Sequence, residues 1–95
     1  MNKYPVVHIY GQHSHHMEVF ILGNKQGLIS LRNAINEAVY SGKKEAEVEV
    51  YCNDGEGYDV YIKMVNDKNI DKLPVPYTAD YAQDTTGRSP ASFFK

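Results

Sequence analysis

One stretch, Gly23 to Gly42, carries the only pattern in the chain that is typical of a substantial helix: GNKQGLISLRNAINEAVYSG. Its apolar residues recur at three- and four-residue spacings and form one stripe on a 3.6-residue period: Leu28, Leu31, Ala34, Ile35, Ala38 and Val39. Asn24 can cap the helix, because its side-chain oxygen can accept from N–H groups of the first turn. Gly42 suits the left-handed position just past the end. We therefore expect one amphipathic helix with this stripe turned to the core.

Strand patterns flank the helix on both sides. Pro5–Tyr10 and Met17–Leu22 precede it, with a turn between them, and Ala46–Cys52 and Tyr58–Val65 follow it with alternating apolar and polar residues. The sequence predicts an α+β fold in the order ββαββ, with the helix on a four-stranded, mainly antiparallel sheet. We prefer the spatial order 2-1-3-4 to 1-2-3-4, since it makes every neighbouring pair antiparallel.

The link Asn53–Gly57 is typical of a hairpin. Two alternating strands share an apolar face only if their paired residue numbers sum to an even value, because a one-residue slip reverses a strand. A three-residue loop, Gly55–Gly57, with Gly57 left-handed, meets this condition. It predicts that Val50 pairs with Ile62.

The alternating pattern stops after Asp67. We divide the chain into a ββαββ domain, residues 1–68, and an extended C-terminal arm, residues 69–95, whose prolines favour extended backbone.

Composition narrows the class of function. With 95 residues the chain suits one domain, and its net charge of -2 argues against a general nucleic-acid binder, which needs a basic face. The single cysteine, Cys52, fits a reducing, cytoplasmic setting. We find no apolar run long enough for a membrane span and no apolar block of a signal peptide.

Chemistry-bearing residues are few. His8, His13, His15 and His16 suggest a metal site, since imidazole is a common zinc ligand, but no CxxC, HExxH or DxDxDG pattern accompanies them. Cys52 falls at an inward strand position, where a thiol is usually inert. We therefore expect no catalytic residues, no metal and no cofactor, and interpret the protein as a non-enzyme.

The loop that opens the helix suggests an anion site. It joins a strand to a helix N-terminus, which is the context that phosphate loops use, although neither GxxxxGK[ST] nor GxGxxG is present. Tyrosine and arginine side chains of the arm could stack on a base or clamp a phosphate, or could be packing anchors instead. The candidate ligand-binding residues are Asn24, Lys25, Gly27, Arg32, Tyr77, Tyr81 and Arg88.

The sheet face away from the helix suggests an interface. Eight tyrosines and three phenylalanines are many for this length, and one helix covers only one face of a sheet. An aromatic patch is rarely left bare, so we expect a homo-oligomer, at least a dimer, unless the chain's own arm covers the face. The candidate interface residues are Phe20, Leu22, Tyr51, Tyr61, Phe93 and Phe94.

The segment HHMEVFILGNKQGLISLRNAI, followed by DGEGYDV, resembles small, mostly uncharacterised αβ proteins of bacteria and their phages. The shared pattern is a His-rich strand, GN-x-x-GL, LR-x-AI and a DGEGY hairpin, and it covers about the first two-thirds of the chain. In size, charge and aromatic content the chain is also similar to compact phage proteins that sequester immune signalling nucleotides. The first resemblance implies no particular activity, whereas the second implies an anti-defence sponge that binds a nucleotide-type second messenger without catalysis. The alternative is a protein–protein interaction or inhibitor module that uses the aromatic sheet face.

Overall fold

A computed structural model of the chain describes residues 4–12 and 16–73. The elements follow the predicted order: β1 (Val7–Tyr10), β2 (Phe20–Gly23), α1 (Lys25–Tyr40), β3 (Glu45–Tyr51) and β4 (Gly57–Lys63), with a 3-10 turn at Ile70–Lys72. The α+β class and the order ββαββ are confirmed. The chain divides into two compact units, one of residues 1–9 and 21–64 and one of residues 10–20 and 65–95. Most of the predicted arm, from residue 74 onward, lies outside the described residues.

Helix α1 begins and ends as the sequence predicts. The Asn24 side chain caps it by accepting from the Gly27 N–H, and the Ser41 N–H donates to the Glu37 carbonyl at its end. Gly42 then takes a φ of 90°, the left-handed conformation that a glycine adopts without cost.

The helix face differs from the prediction. The side that packs into the fold is lined by small residues, and the buried residues of α1 are Gly27, Ala34 and Ala38. The larger apolar residues Leu28, Ile35 and Val39 are 42, 44 and 40% exposed. The stripe was expected to face the core, and its alanines do. These small residues allow the helix backbone to approach the sheet closely, while the large side chains are turned aside.

The four strands form two two-stranded ladders, β1–β2 and β3–β4, rather than one four-stranded sheet. A single parallel bridge, Val6 to Tyr51, joins strand β3 to the segment before β1, with the Tyr51 N–H donating to the Pro5 carbonyl at 2.9 Å. The expectation that every neighbouring pair is antiparallel is therefore wrong at this junction. Pro5 explains why the ladder is so short, because it has no N–H with which to extend the pairing back along β3.

The β3–β4 hairpin has the predicted kind of turn two residues earlier than expected. The Cys52 N–H donates to the Glu56 carbonyl at 2.8 Å, so the loop is Asn53-Asp54-Gly55, and its left-handed residue is Gly55, with a φ of 92°. Val50 consequently pairs with Tyr58 rather than with Ile62. The Asp54 carboxylate accepts from the Glu56 N–H at 2.9 Å, a local turn bond that favours this loop.

The described core is small. Its fully buried large side chains are Val7 and Val50, and its other buried apolar residues are Val6, Ala34 and Ala38. The Tyr58 hydroxyl donates a hydrogen bond to the Val7 carbonyl. This bond links β4 to β1 beside the core.

Candidate functional site

The start of α1 is held to the segment before β1 by one side chain. The Asn24 carbonyl oxygen accepts from the Val6 N–H at 3.0 Å and from the Gly27 N–H at 2.7 Å. The Asn24 amide donates to the Tyr4 carbonyl at 3.1 Å, and the Asn24 backbone N–H donates to the Val6 carbonyl at 3.1 Å. The three side-chain bonds and the backbone bond together assign Asn24 to the junction of the chain's own segments.

Gly27 is buried at the same junction. A Cβ at this position would overlap the Val6 backbone, including its carbonyl oxygen. The absence of a side chain therefore lets the helix approach the backbone of Val6, just before β1. The sequence had suggested instead that Gly27 belongs to a ligand-binding site.

Of the remaining predicted ligand residues, Lys25 and Arg32 are described, and both lie on α1. Lys25 is exposed, and Arg32 donates to the side-chain oxygen of Asn33 at 3.3 Å on the exposed helix surface. Tyr77, Tyr81 and Arg88 lie outside the described residues. Anion binding at this helix start stays a prediction, and the first turn offers it less room than the sequence suggested.

The outer face of the β3–β4 ladder is acidic. The Tyr51 hydroxyl donates to Glu49 at 3.3 Å, and the negative charge of Glu49 raises the pKa of Tyr51. A hydrogen bond with Glu47 is the main cause that raises the pKa of Tyr61, and the charges of Glu47 and Asp59 add to it. Both phenols therefore stay neutral beside carboxylates at ordinary pH.

Four of the six predicted interface residues are described, and they lie on two different ladders. Phe20 and Leu22 are exposed on β2, whereas Tyr51 and Tyr61 belong to the separate β3–β4 ladder. The Tyr51 ring also lies against the ring of Tyr4, with centroids 4.9 Å apart and planes inclined by 55°. Phe93 and Phe94 lie outside the described residues. An interface formed by all six stays a prediction.

A groove lies between α1 and β3, and the sequence reasoning missed it. Its volume is about 260 Å³. Its lining residues are Ser30, Asn33, Ala34, Glu37, Glu47 and Val48. Its lining includes residues of α1 and β3 and none of β4. The polar helix residues recur at the spacings of one helix face, and that recurrence was the available signal.

The histidines form no metal site within the described part of the chain. His8 accepts at its Nε2 from the Asn53 N–H at 3.1 Å, which ties β1 to the hairpin loop. His13 and His15 lie outside the described residues. In the ranges 4–12 and 16–73, no group of three or more His, Cys, Asp or Glu side chains is placed to hold a metal ion.

Comparisons with protein-family models, with curated proteins and with solved structures find no match to this chain. Among the described residues, no helix has the length and apolar character that crossing a bilayer requires.

Proposed function

We propose that this chain is a non-catalytic protein-interaction module, and that its binding surface is the outer stripe of α1. This outer stripe consists of Leu28, Ile35 and Val39. The observation that carries the proposal is the inverted order of sizes on the helix, where alanines are buried and larger aliphatic side chains are more than one-third exposed.

The geometry of α1 places the outer stripe along one side of the helix, with Arg32 between Leu28 and Ile35. Residues 28, 35 and 39 differ by seven and four positions, so their side chains lie along one side of the helix. Leu31 is half-buried and falls between this side and the buried alanines. An aliphatic strip on an otherwise polar helix surface is the kind of patch that marks a protein-binding site.

A nucleotide-binding function, which the resemblance to phage sponges implies, has less support. The first turn of α1 is engaged by Asn24 and by the backbone of Val6, and the groove beside the helix is walled by Glu37 and Glu47. Carboxylates repel phosphate. Equilibrium dialysis of the protein and of Lys25→Ala against a nucleotide panel tests this function, which requires retention by the parent chain and weaker retention by the variant.

Site-specific cross-linking tests the interaction module. A photoreactive residue placed at position 35, in the organism that encodes the chain, should link to one defined protein, which can be a second copy. The matched control is position 36, because Asn36 is exposed and adjacent but points away from the outer stripe. Equal products at both positions, or none at position 35, would contradict the proposal.

A further inference from the structure

Within the part of the chain that the structure describes, the second edge of β3 is open along most of its length. In the described part of the chain, β3 pairs with β4 along one edge and is bridged at Tyr51 alone along the other. Among residues 4–12 and 16–73, no strand pairs with the edge from Glu45 to Glu49, which carries backbone donors and acceptors. Such an edge is a template for another extended chain.

The hydrogen-bond pattern shows which residues face outward. Cys52 donates to Glu56 at one end of the ladder, and Met64 donates to Lys44 at the other. Since bonded and non-bonded pairs alternate in an antiparallel ladder, the even-numbered residues of β3 bond to β4. The odd-numbered residues, Glu45, Glu47 and Glu49, direct their N–H and C=O groups to the open edge. Tyr51 follows the same rule, because its N–H donates to Pro5.

A groove beside the open edge can hold side chains of an added strand. The groove of about 260 Å³ runs between this edge and the helix face of Ser30, Asn33 and Glu37. A strand added to the edge would place alternate side chains into the groove above Val48, and the others on the outer face.

The charges on the outer face of the ladder determine which kind of strand can pair with the open edge. The outer face of the ladder carries Glu45, Glu47, Glu49 and Asp59 against one cation, Lys63, which pairs with Glu45 at 3.6 Å. A second copy that added the same edge would set glutamate opposite glutamate, which is unfavourable between neighbouring strands. A strand with lysine or arginine at alternate positions would set opposite charges 4.5–5.5 Å apart, roughly the spacing of directly paired residues.

We propose that the open edge of β3 and the adjoining groove bind an extended, basic segment of a partner protein by strand addition. Main-chain hydrogen bonds to Glu47 and Glu49 hold the segment, their carboxylates meet its cations, and its intervening small aliphatic side chains occupy the groove. This surface is separate from the outer stripe of α1, which lies on another side of the helix.

A synthetic peptide with the repeating sequence Lys-Val-Lys-Val-Lys, acetylated and amidated, is a direct probe. In amide NMR spectra of the full chain, it should shift the signals of residues 45–49 and 30–37. A peptide with Glu in place of each Lys should bind at least about fivefold more weakly, because like charges then face each other. Equal binding of the two peptides, absence of binding at millimolar concentration, or shifts elsewhere would overturn the proposal.

Two substitutions at one position separate charge from backbone pairing. Glu47→Gln removes only the carboxylate and should weaken the peptide about two- to fivefold. Glu47→Pro also removes an N–H that does not bond to β4, so it should weaken the peptide about two- to tenfold further while the hairpin stays folded. The matched control is Glu56→Gln in the hairpin loop, which should bind as the parent does.

Three further results decide the identity of the occupant. Ile35→Asp should bind the peptide unchanged, so that failure of the outer stripe and failure of the edge are distinguishable. Tighter binding after deletion of residues 1–3 would assign the edge to the chain's own segment and overturn the proposal. Self-association that Glu47→Pro abolishes would assign the edge to a second copy, with the same consequence.

Discussion

At the scale of single residues, the junction before α1 depends on Asn24 and Gly27. The Asn24 side chain joins the Tyr4–Val6 segment to the first turn of the helix through three hydrogen bonds. Gly27 provides the space in which the Val6 backbone lies. Each residue does what no other side chain at its position can do, so substitutions there test the junction directly.

Asn24→Ala should lower the free energy of unfolding by about 1–3 kcal/mol. It removes a helix cap, which is usually worth about 0.5–2 kcal/mol, and leaves the Val6 N–H and the Tyr4 carbonyl without their partner. Urea denaturation followed by circular dichroism measures the change. Asn36→Ala, at an exposed position of the same helix, is the control, and an equal loss in the two variants would contradict the role of Asn24.

Gly27→Ala should destabilise the fold, although alanine is the better helix former by about 1 kcal/mol. The new methyl group would overlap the Val6 carbonyl, and relief requires the helix to move off the β1 segment, at a cost of about 1–3 kcal/mol. Gly11→Ala is the control, because nothing lies within 4 Å of a Cβ at that position. A thermal midpoint of Gly27→Ala at or above that of the parent would show that the close approach is not needed.

Tyr58 should make stability fall in alkaline solution. Burial, with a smaller effect from Cys52, raises the pKa of its phenol above the ordinary value of 10.0. The unfolded chain then ionises first, so the stabilisation is complete below pH 10 and is lost as the pH rises through the folded-state pKa. Urea midpoints measured from pH 8 to 11 should fall less steeply in Tyr58→Phe than in the parent.

The same variant should be less stable near neutral pH, by about 0.5–1.5 kcal/mol, because the hydrogen bond to the Val7 carbonyl is lost. Tyr40→Phe is the control, since Tyr40 is largely exposed. Identical alkaline slopes in Tyr58→Phe and the parent would show that the phenol does not couple to unfolding.

At the scale of elements, the periodic sequence pattern predicts some features of α1 and fails to predict its orientation. Its caps, its length and its amphipathic pattern follow from local residues, and the structure confirms them. Its orientation does not, because a stripe that includes both alanines and larger aliphatic residues can bury either side. The side chosen depends on backbone approach at Gly27, which is a tertiary contact.

The hairpin shows the same limit. A shared apolar face requires paired residue numbers with an even sum, and the observed pairing of Val48 with Val60 meets this condition. This condition cannot decide between Gly55 and Gly57 as the left-handed residue. The local bond from the Glu56 N–H to Asp54 favours Gly55, at the cost of setting Glu49 opposite Asp59. The groove was missed for a related reason, since it arises only where α1 packs beside β3.

Because α1 buries its alanines rather than its larger aliphatic residues, two substitutions of large aliphatic residues should lower the free energy of unfolding by different amounts. Val50→Ala should lower the free energy of unfolding by about 1–3 kcal/mol, because the Val50 side chain is fully buried. Ile35→Ala should cost under about 1 kcal/mol, since almost half of its side chain is already in water. Urea melts at low protein concentration measure both. A larger loss in Ile35→Ala would restore the face that the sequence pattern suggested.

At the scale of the whole molecule, the described core is limited to Val6, Val7, Val50 and two alanines of α1, while large aliphatic side chains remain at the surface. A chain of this size buries a modest share of its surface on folding, so association is an effective supplement to its stability. Two surfaces are candidates for a dimer interface. They are the outer stripe of α1 and the outer face of the β3–β4 ladder.

Charge decides between the two faces. Pairing the ladder face with its own copy would bring Glu47, Glu49 and Asp59 against the same carboxylates, and the like charges oppose it. The outer stripe has no such penalty, because Leu28, Ile35 and Val39 can pack on a two-fold copy of themselves. We therefore expect a homodimer through α1. Sedimentation velocity at micromolar concentration should show it in the parent chain and in Tyr61→Arg, and should show a folded monomer for Ile35→Asp. Dissociation by Tyr61→Arg, with Ile35→Asp still dimeric, would instead place the interface on the ladder, where the aromatic pattern of the sequence first suggested it.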